Sequence, residues 1–512
     1  MEPFTSEELE GYSHSSLKSL AIELSRNLKV AETLIKKLET RLQNSLMELS
    51  AKNQRLLFEA EKLNNMKDLL FGPSSESRDT TPLFGDPVDD TPPKPSSQSR
   101  KKRKKTEERL SPNVPVHEIE HKIDPEIMDK LNLAEWPGQF ETSDLISVVP
   151  SKIILERHKR QKYFHIDSES GEKSIVSAPG PCKLREGNRY SLEFAVECGL
   201  AKYHWHLPLE RQVRMMACQG LEIGSQTIFN QIDLVAFHLA PTVFKRIIED
   251  IHSSRVNEAD DTTWKNLEDR KTKTHQKYYL WGVKNQRAVC FNIYNSRSQK
   301  VAKDFLGNLK GVLVTDGHNS FKSLANADLI LANDWSHARR KFFKAAKTSP
   351  EDANPFLDLI NELFKIESEI KDEPPDKRLE IRQSKSKLII QKIQDLLNET
   401  VALPESNLGK ALSYTSKLWE GLVVFLNDPE VPMHTNGIER AIRGPAVGRK
   451  NHYGSKNFAS AKTAAIWYSI VETCKLCDIS PREYLILTLQ AIMTKQPYKM
   501  PWEFQIKEAP SR

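Results

Sequence analysis

Three acidic residues, far apart in the chain, occupy contexts in which a carboxylate does chemistry. Asp260 lies in ADDTTW, inside a stretch with strand character. Asp316 ends the apolar run GVLVT and is followed by Gly317. Glu439 stands alone among Arg440, Arg443, Arg449, Lys450 and Lys456 in HTNGIERAIRGPAVGRKNHYGSK, residues 434–456. A carboxylate in a buried strand is costly unless it meets a metal or a cation. An Asp at a strand end in an α/β sheet stands where ligands bind. A single carboxylate in a cationic segment suits a site that grips a polyanion and holds a metal ion. Together the three would supply oxygen ligands for two hard divalent ions about 3.5–4 Å apart, as phosphoryl transfer between nucleotides requires. The chain has 69 Asp and Glu residues, so other triples can be drawn. A basic surface helix with an ordinary Glu439–Arg443 ion pair reads the last segment equally well.

These residues need a sheet and a helix start to position them. Strands are expected at 258–267, 277–283, 288–294, 311–315 and 329–332, with a hairpin turn at Lys284-Asn285-Gln286. Helices are expected at 298–309, 321–326 and 336–347. The order β-β-β-α-β-α-β-α resembles a ribonuclease-H-like mixed sheet between helices. Residues 251–347 would be its first part and 434–478 its last, with a helical insertion at 348–433. Thr435-Asn436 should start the helix that carries Glu439 in its first turn, and Gly444-Pro445 should end it. A helix at 459–475 and another started by Ser480-Pro481 follow, the second opening the C-terminal stretch 479–512.

The N-terminal part has its own pattern. After an acidic tail (1–16), Ala21, Leu28, Ile35, Leu42, Leu49, Leu56, Leu63 and Leu70 recur every seventh residue. The companion row turns polar at Ser45, Lys52 and Glu59. This predicts a coiled coil over 17–72, hence self-association, against the alternative of a long helix packed on its own globular domain. Residues 73–115 read as a disordered basic linker containing RKKRKK at 100–105. That run suits non-specific phosphate contact, nuclear import or a plain solvated run. A small β-rich module is expected at 116–180, with strands at 145–149 and 152–155. A helical segment at 181–250 includes a pair, LPLERQVRMMACQ and SQTIFNQIDLVAFHL, its second helix capped by Ser225, that reads as a helix-turn-helix or as a two-helix hairpin with no DNA role.

Composition narrows the class. The 512 residues allow roughly three domains. A net charge of +6 makes any nucleic-acid surface local. Six scattered cysteines do not make a disulfide framework and favour a reducing compartment. The N-terminus lacks an apolar run, and no window approaches a membrane span. A soluble intracellular protein is expected.

The motifs TDGHNSF, NDWSHARRKFF and HTNGIERAIRGPAVGRKNHYGS, in that order, resemble the large transposase of the insertion sequence 66 family. So do LLFGPSSES, LPLERQ, CDISPREYL and KMPWEF, and the likeness covers most of the chain. The resemblance implies a DDE transposase with a ribonuclease-H-like core. Its catalytic, metal-holding triad would be Asp260, Asp316 and Glu439, with two Mg²⁺ ions for which Mn²⁺ would substitute. His337, Arg339, Arg340, Arg440, Arg443, Arg449 and Lys450 would contact DNA or the active site. Terminal inverted repeats and target DNA would be the partners, with self-association through the coiled coil and a role for accessory proteins of the same element. The place would be a bacterial cytoplasm, at the nucleoid.

Three departures bear on this. The family pattern Asp-Glu-Thr is Asp260-Asp261-Thr262 here, so Asp261 competes with Asp260 as the first ligand. His318 stands where the family often has an aromatic. The family's cysteine-rich zinc module has no counterpart, since 116–180 holds no cysteine. His117, His121, His158 and His165 are its only candidate ligands, and no zinc is expected. Cys474 and Cys477 read as core packing. The rival readings are a catalytically dead, domesticated DNA-binding protein and a nuclease that cuts without joining.

Overall fold

The computed structural model describes residues 13–71, 152–166, 173–267 and 277–504. The linker with its basic run, the strand expected at 145–149, and His117 and His121 fall outside them. Helix α1 (His14–Phe71) matches the heptad stretch. Leu24, Leu28, Ile35, Leu38, Leu42, Leu49 and Leu56 along it are exposed. A two-stranded antiparallel pair follows, β1 (Lys162–Ile166) with β2 (Lys173–Ser177). The strand expected at 152–155 is absent: those residues carry no regular structure, and Ile154 and Leu155 are exposed. Here β1 takes β2 as its hydrogen-bonding partner, and 152–155 joins neither strand.

The chain forms two compact units, one with α1 and the other, which holds β1 and β2, built in two passes (residues 85–332 and 434–512). Its helices are α2 (Leu192–Tyr203), α3 (Leu209–Cys218), α4 (Ser225–Leu239) and α5 (Lys245–Ser253). The turn between α3 and α4 uses Gly220 at φ +87°. Gly224, not Ser225, is the N-cap of α4. The expected cap is one residue off because Ser225 already has a place in the first helical turn.

The sheet comprises β3 (Val256–Trp264), β4 (Tyr278–Lys284), β5 (Val289–Tyr294), β6 (Gly311–Thr315) and β7 (Leu329–Asn333), with α6 (Gln299–Leu306) between β5 and β6. The order across it is β5-β4-β3-β6-β7. The first three strands are an antiparallel meander, and β6 runs parallel to β3. The helix expected at 321–326 is a single 3-10 turn, Lys322–Leu324. The Asn326 side chain bonds Leu324 O and the Asp328 N–H, turning the chain before a helix can propagate.

The second pass adds α13 (Asn436–His452), α14 (Phe458–Leu476) and α15 (Pro481–Met493); α7 to α12 belong to the other unit. Helix α14 covers the outer edge of the sheet. The Val289 and Phe291 N–H groups donate to the Thr473 and Ser469 hydroxyls, so the edge strand presents satisfied donors. Cys474 is buried in this core, and Cys477 packs against it.

The other unit contains residues 333–433. It holds α7 (Trp335–Ala346), α8 (Pro350–Glu369), α9 (Pro375–Ile381), α10 (Lys387–Glu399), α11 (Asn407–Lys417) and the short α12 (Trp419–Leu422). Arg382, in a π-turn between α9 and α10, is buried at its centre. Its guanidinium takes both carboxylate oxygens of Glu367, at 2.8 and 2.6 Å, and donates to the carbonyls of Phe425, Asp428 and Val431. Removing it would strand a buried carboxylate and three carbonyls. Arg382→Ala is expected to cost about 3–5 kcal/mol. Hydrogen exchange should then speed up across 350–431 while the sheet strands keep their protection.

Candidate active site

The face of β3 that carries Glu258, Asp260 and Thr262 follows from the two-residue period of a strand. In the parallel register Glu258 pairs with Val314, so two residues further on Asp260 is level with Asp316, just past the end of β6. On the other side Asp260 pairs with Gly282. Helix α13 packs on β3 and β4.

Two contacts seat that helix. The Glu258 carboxylate accepts from the Ile438 N–H at 3.0 Å, filling the role that the Thr435 side chain leaves open at the helix start. It also pairs with Lys284 at 3.4 Å. A Cβ on Gly437 would stand 2.6 Å from the Glu258 carboxylate, so a side chain there would displace that carboxylate from its contact. Ile438 reaches into the space beside Gly282, where a Cβ would lie 3.0 Å from its Cδ1. Glu439, the next residue, is thereby held over the β3 face.

The far end of α13 is tied down as well. Arg449 donates to the Thr262 hydroxyl at 3.2 Å, the Thr263 hydroxyl at 2.8 Å and the Thr263 carbonyl. The helix does not stop at Gly444-Pro445 but runs on to His452, with Pro445 buried inside it. Gly444 and Gly448 present no side chain to Glu472 and Tyr468 of α14, where a Cβ would collide. Close packing of that face sustains the turn that proline alone would break.

The charges then converge. Burial first, then the nearby charges of Asp316, Asp261 and Glu439, push the Asp260 carboxyl up to about 7. Its Oδ1 accepts from the Asp261 N–H at 2.7 Å. Asp261, on the opposite face of β3, is raised to about 6 by burial, against the pull of Arg297. Arg297 binds Asp261 at 2.7 Å and reaches Asp316 at 3.5 Å. Asp316 Oδ1 accepts from the His318 N–H at 2.8 Å. The charges of Asp316 and Glu439 thus both bear on Asp260, while Arg297 is shared between Asp261 and Asp316.

The cationic candidates lie on two helices. Arg440, Arg443 and Lys450 are exposed on α13, whereas Arg449 is turned onto β3. His337, Arg339 and Arg340 lie on α7, in the helical unit. There His337 stands 3.9 Å from Asp334, Arg339 donates to Asn361 at 2.7 Å, and Arg340 is exposed. Sequence reading missed Glu258 and Arg297. Glu258 was legible, being two residues before Asp260 on the same strand face. Arg297 lies in a loop with no local signal.

Two outcomes follow. Glu258→Ala removes a charged cap and is expected to cost about 1.5–3 kcal/mol by denaturant unfolding, with any DNA-cleaving activity falling further than stability because Glu439 shifts. For Asp260, the folded value lies above the ordinary carboxylate range. Its protonation therefore favours the fold at low pH, and that contribution is lost as pH rises through about 7. In chelator the melting temperature should fall between pH 5.5 and 8. Asp260→Asn should flatten that slope and raise the melting temperature at pH 8.

Comparison with known proteins agrees on one family. Residues 189–463 match the model of the transposase IS66 family. The chain is similar to three uncharacterized proteins of Sinorhizobium fredii. One, y4jD, is 29% identical over 69% of this chain and 72% of its own length. Two others, y4qI and y4hP, are each 26% identical, covering 76% of both chains and 71% of both chains respectively. Since the family match spans more than half of the chain, including β3, β6 and α13, this protein belongs to the IS66 transposase family.

Proposed function

We propose that the protein is a DDE-type DNA transposase, which hydrolyses a phosphodiester at the ends of its element and joins the exposed 3′-hydroxyl to target DNA. One observation supports the reading: buried Asp260 on β3 feels the negative charges of Asp316, just past the end of β6, and of Glu439, at the start of α13. The donor set fits hard divalent ions, being all carboxylate oxygen. Asp260, Asp316 and Glu439 would hold two Mg²⁺ ions, with Mn²⁺ able to replace them. When bound, such ions lower the pKa of the attacking water or hydroxyl and neutralise the leaving oxygen.

The protein's own groups do the rest. Asp260 is the first ligand of this reading, because Asp261 is neutralised by Arg297 on the other face of the strand. Arg297 also holds Asp316 in place. Arg440, Arg443 and Lys450 would lie along the DNA backbone, and His337, Arg339 and Arg340 are further candidates for DNA contact. The meander of three strands with a fourth parallel to the first supports a ribonuclease-H-like core. The exposed leucines of α1 support a coiled coil that brings protomers together. Among the described residues no helix is long and apolar enough to cross a membrane. The reading places the protein in a bacterial cytoplasm on DNA, with accessory proteins of the same element as further partners.

Purified protein with Mg²⁺ and a plasmid carrying the gene's flanking sequences tests this. Wild type is expected to nick at inverted repeats. Glu439→Gln and Asp316→Asn should bind the same DNA with nicking at background. Bound but uncut flanks with wild type would favour the DNA-binding relic. Loss of DNA binding in Asp316→Asn would make that residue structural.

A further inference from the structure

The end of α13 remote from Glu439 carries a surface that the cleavage chemistry does not use. Helix α13 closes at Tyr453, whose backbone is left-handed at φ +59° and whose ring is 60% exposed. Lys265 Nζ lies 6.0 Å from the centre of that ring. Five residues on, Phe458 is 42% exposed with Lys462 Nζ 5.0 Å from its ring centre. The loop after α2 comes to the same place, since Asn451 Nδ2 donates to His206 O at 3.4 Å. That loop presents Trp205, 71% exposed, with its ring against His204. Ser455 and Lys265 are joined backbone to backbone at 2.9 Å, which fixes the strand end beside the helix end. Residues 449–462 contain four cations and no acid.

We propose that Trp205, Tyr453 and Phe458, flanked by Lys265, Lys456 and Lys462, form a platform that stacks unpaired nucleotides. This rests on the DNA-transposase reading and names the form of DNA taken at this place. Exposed aromatic faces interleaved with lysines fit a strand whose bases are splayed out. Each base offers a π face, and the lysines track the phosphates. A duplex hides those faces everywhere except at its ends. The distance is set by two rulers. At ~1.5 Å per helical residue, Tyr453 stands roughly 20 Å along α13 from Glu439. At ~3.3 Å per strand residue, Lys265 stands roughly 16 Å along β3 from Asp260. If the intervening run is duplex, at ~3.4 Å per nucleotide, the platform meets the strand about five or six nucleotides from the reacting phosphate.

Fluorescence anisotropy of the full-length protein with single-stranded and blunt duplex oligonucleotides tests it. Tyr453→Ala and Trp205→Ala are each expected to weaken single-strand binding roughly 5- to 100-fold and to leave duplex binding near wild type. Tyr453→Phe should restore single-strand binding, which a misfolded variant would not do. Lys265→Ala should lower the salt slope by about one. Alanine variants that bind single strands like wild type, or that lose both DNA forms in proportion, overturn the platform. Wild type that binds duplex but not single strands also overturns it and leaves the proposed function standing. Wild type that binds neither overturns the proposed function itself.

Discussion

The carboxylate of Glu258 at the start of α13 is the contact on which the site's geometry depends. A helix start exposes N–H groups that need acceptors. Here the acceptor comes from a strand that is nearly two hundred residues earlier in the chain. The same strand face carries Asp260 two residues on and Thr262 after that, where Arg449 is tied. One face of β3 therefore fixes both ends of the helix and places Glu439 between them. The glycines at 282 and 437 leave room for that approach: a Cβ at 437 would meet the Glu258 carboxylate, and one at 282 the Phe291 and Ile438 side chains.

The cluster this creates is unfavourable on its own. Asp260 is buried among other carboxylates and holds its proton far above the ordinary range. Arg297 relieves part of the repulsion by taking Asp261 and reaching Asp316. What remains is concentrated negative potential on one strand face, beside a helix whose exposed side is cationic. Such an arrangement makes sense for a site that gathers cations and lies against a polyanion. Local rules give way in the same region: a proline sits inside α13, and Tyr453 and Gly454 are left-handed at its end. Breaches of local consistency tend to collect at functional sites, where packing elsewhere sustains them.

Much of the rest was legible. The heptad predicted a long N-terminal helix, and α1 spans it. Apolar alternation and turn residues located all five strands of the sheet to within a few residues. The apolar run ending at Asp316 and the isolated acid in a cationic stretch marked two of the three clustered carboxylates. The errors were local. The pattern at 321–326 expects a helix, but Asn326 folds the chain back after one 3-10 turn; Pro445 is expected to stop α13, but packing on a neighbouring helix holds the turn together. Exposed apolar residues at 154 and 155 were read as a strand, although pairing, which periodicity cannot supply, decides that.

The sequence by itself determined the elements, because period, caps and turn chemistry act over a few residues. It also determined which carboxylates were candidates, because their immediate neighbours are unusual. It did not decide between Asp260 and Asp261, which differ by one position in a strand. Tertiary structure gives them different surroundings, because adjacent strand residues face opposite ways and Arg297, from a distant loop, pairs with Asp261. Nor did it reveal that Arg449 is an internal tie or that Glu258 is a cap. Those roles depend on long-range register and close approach, and no spacing within a single segment encodes them.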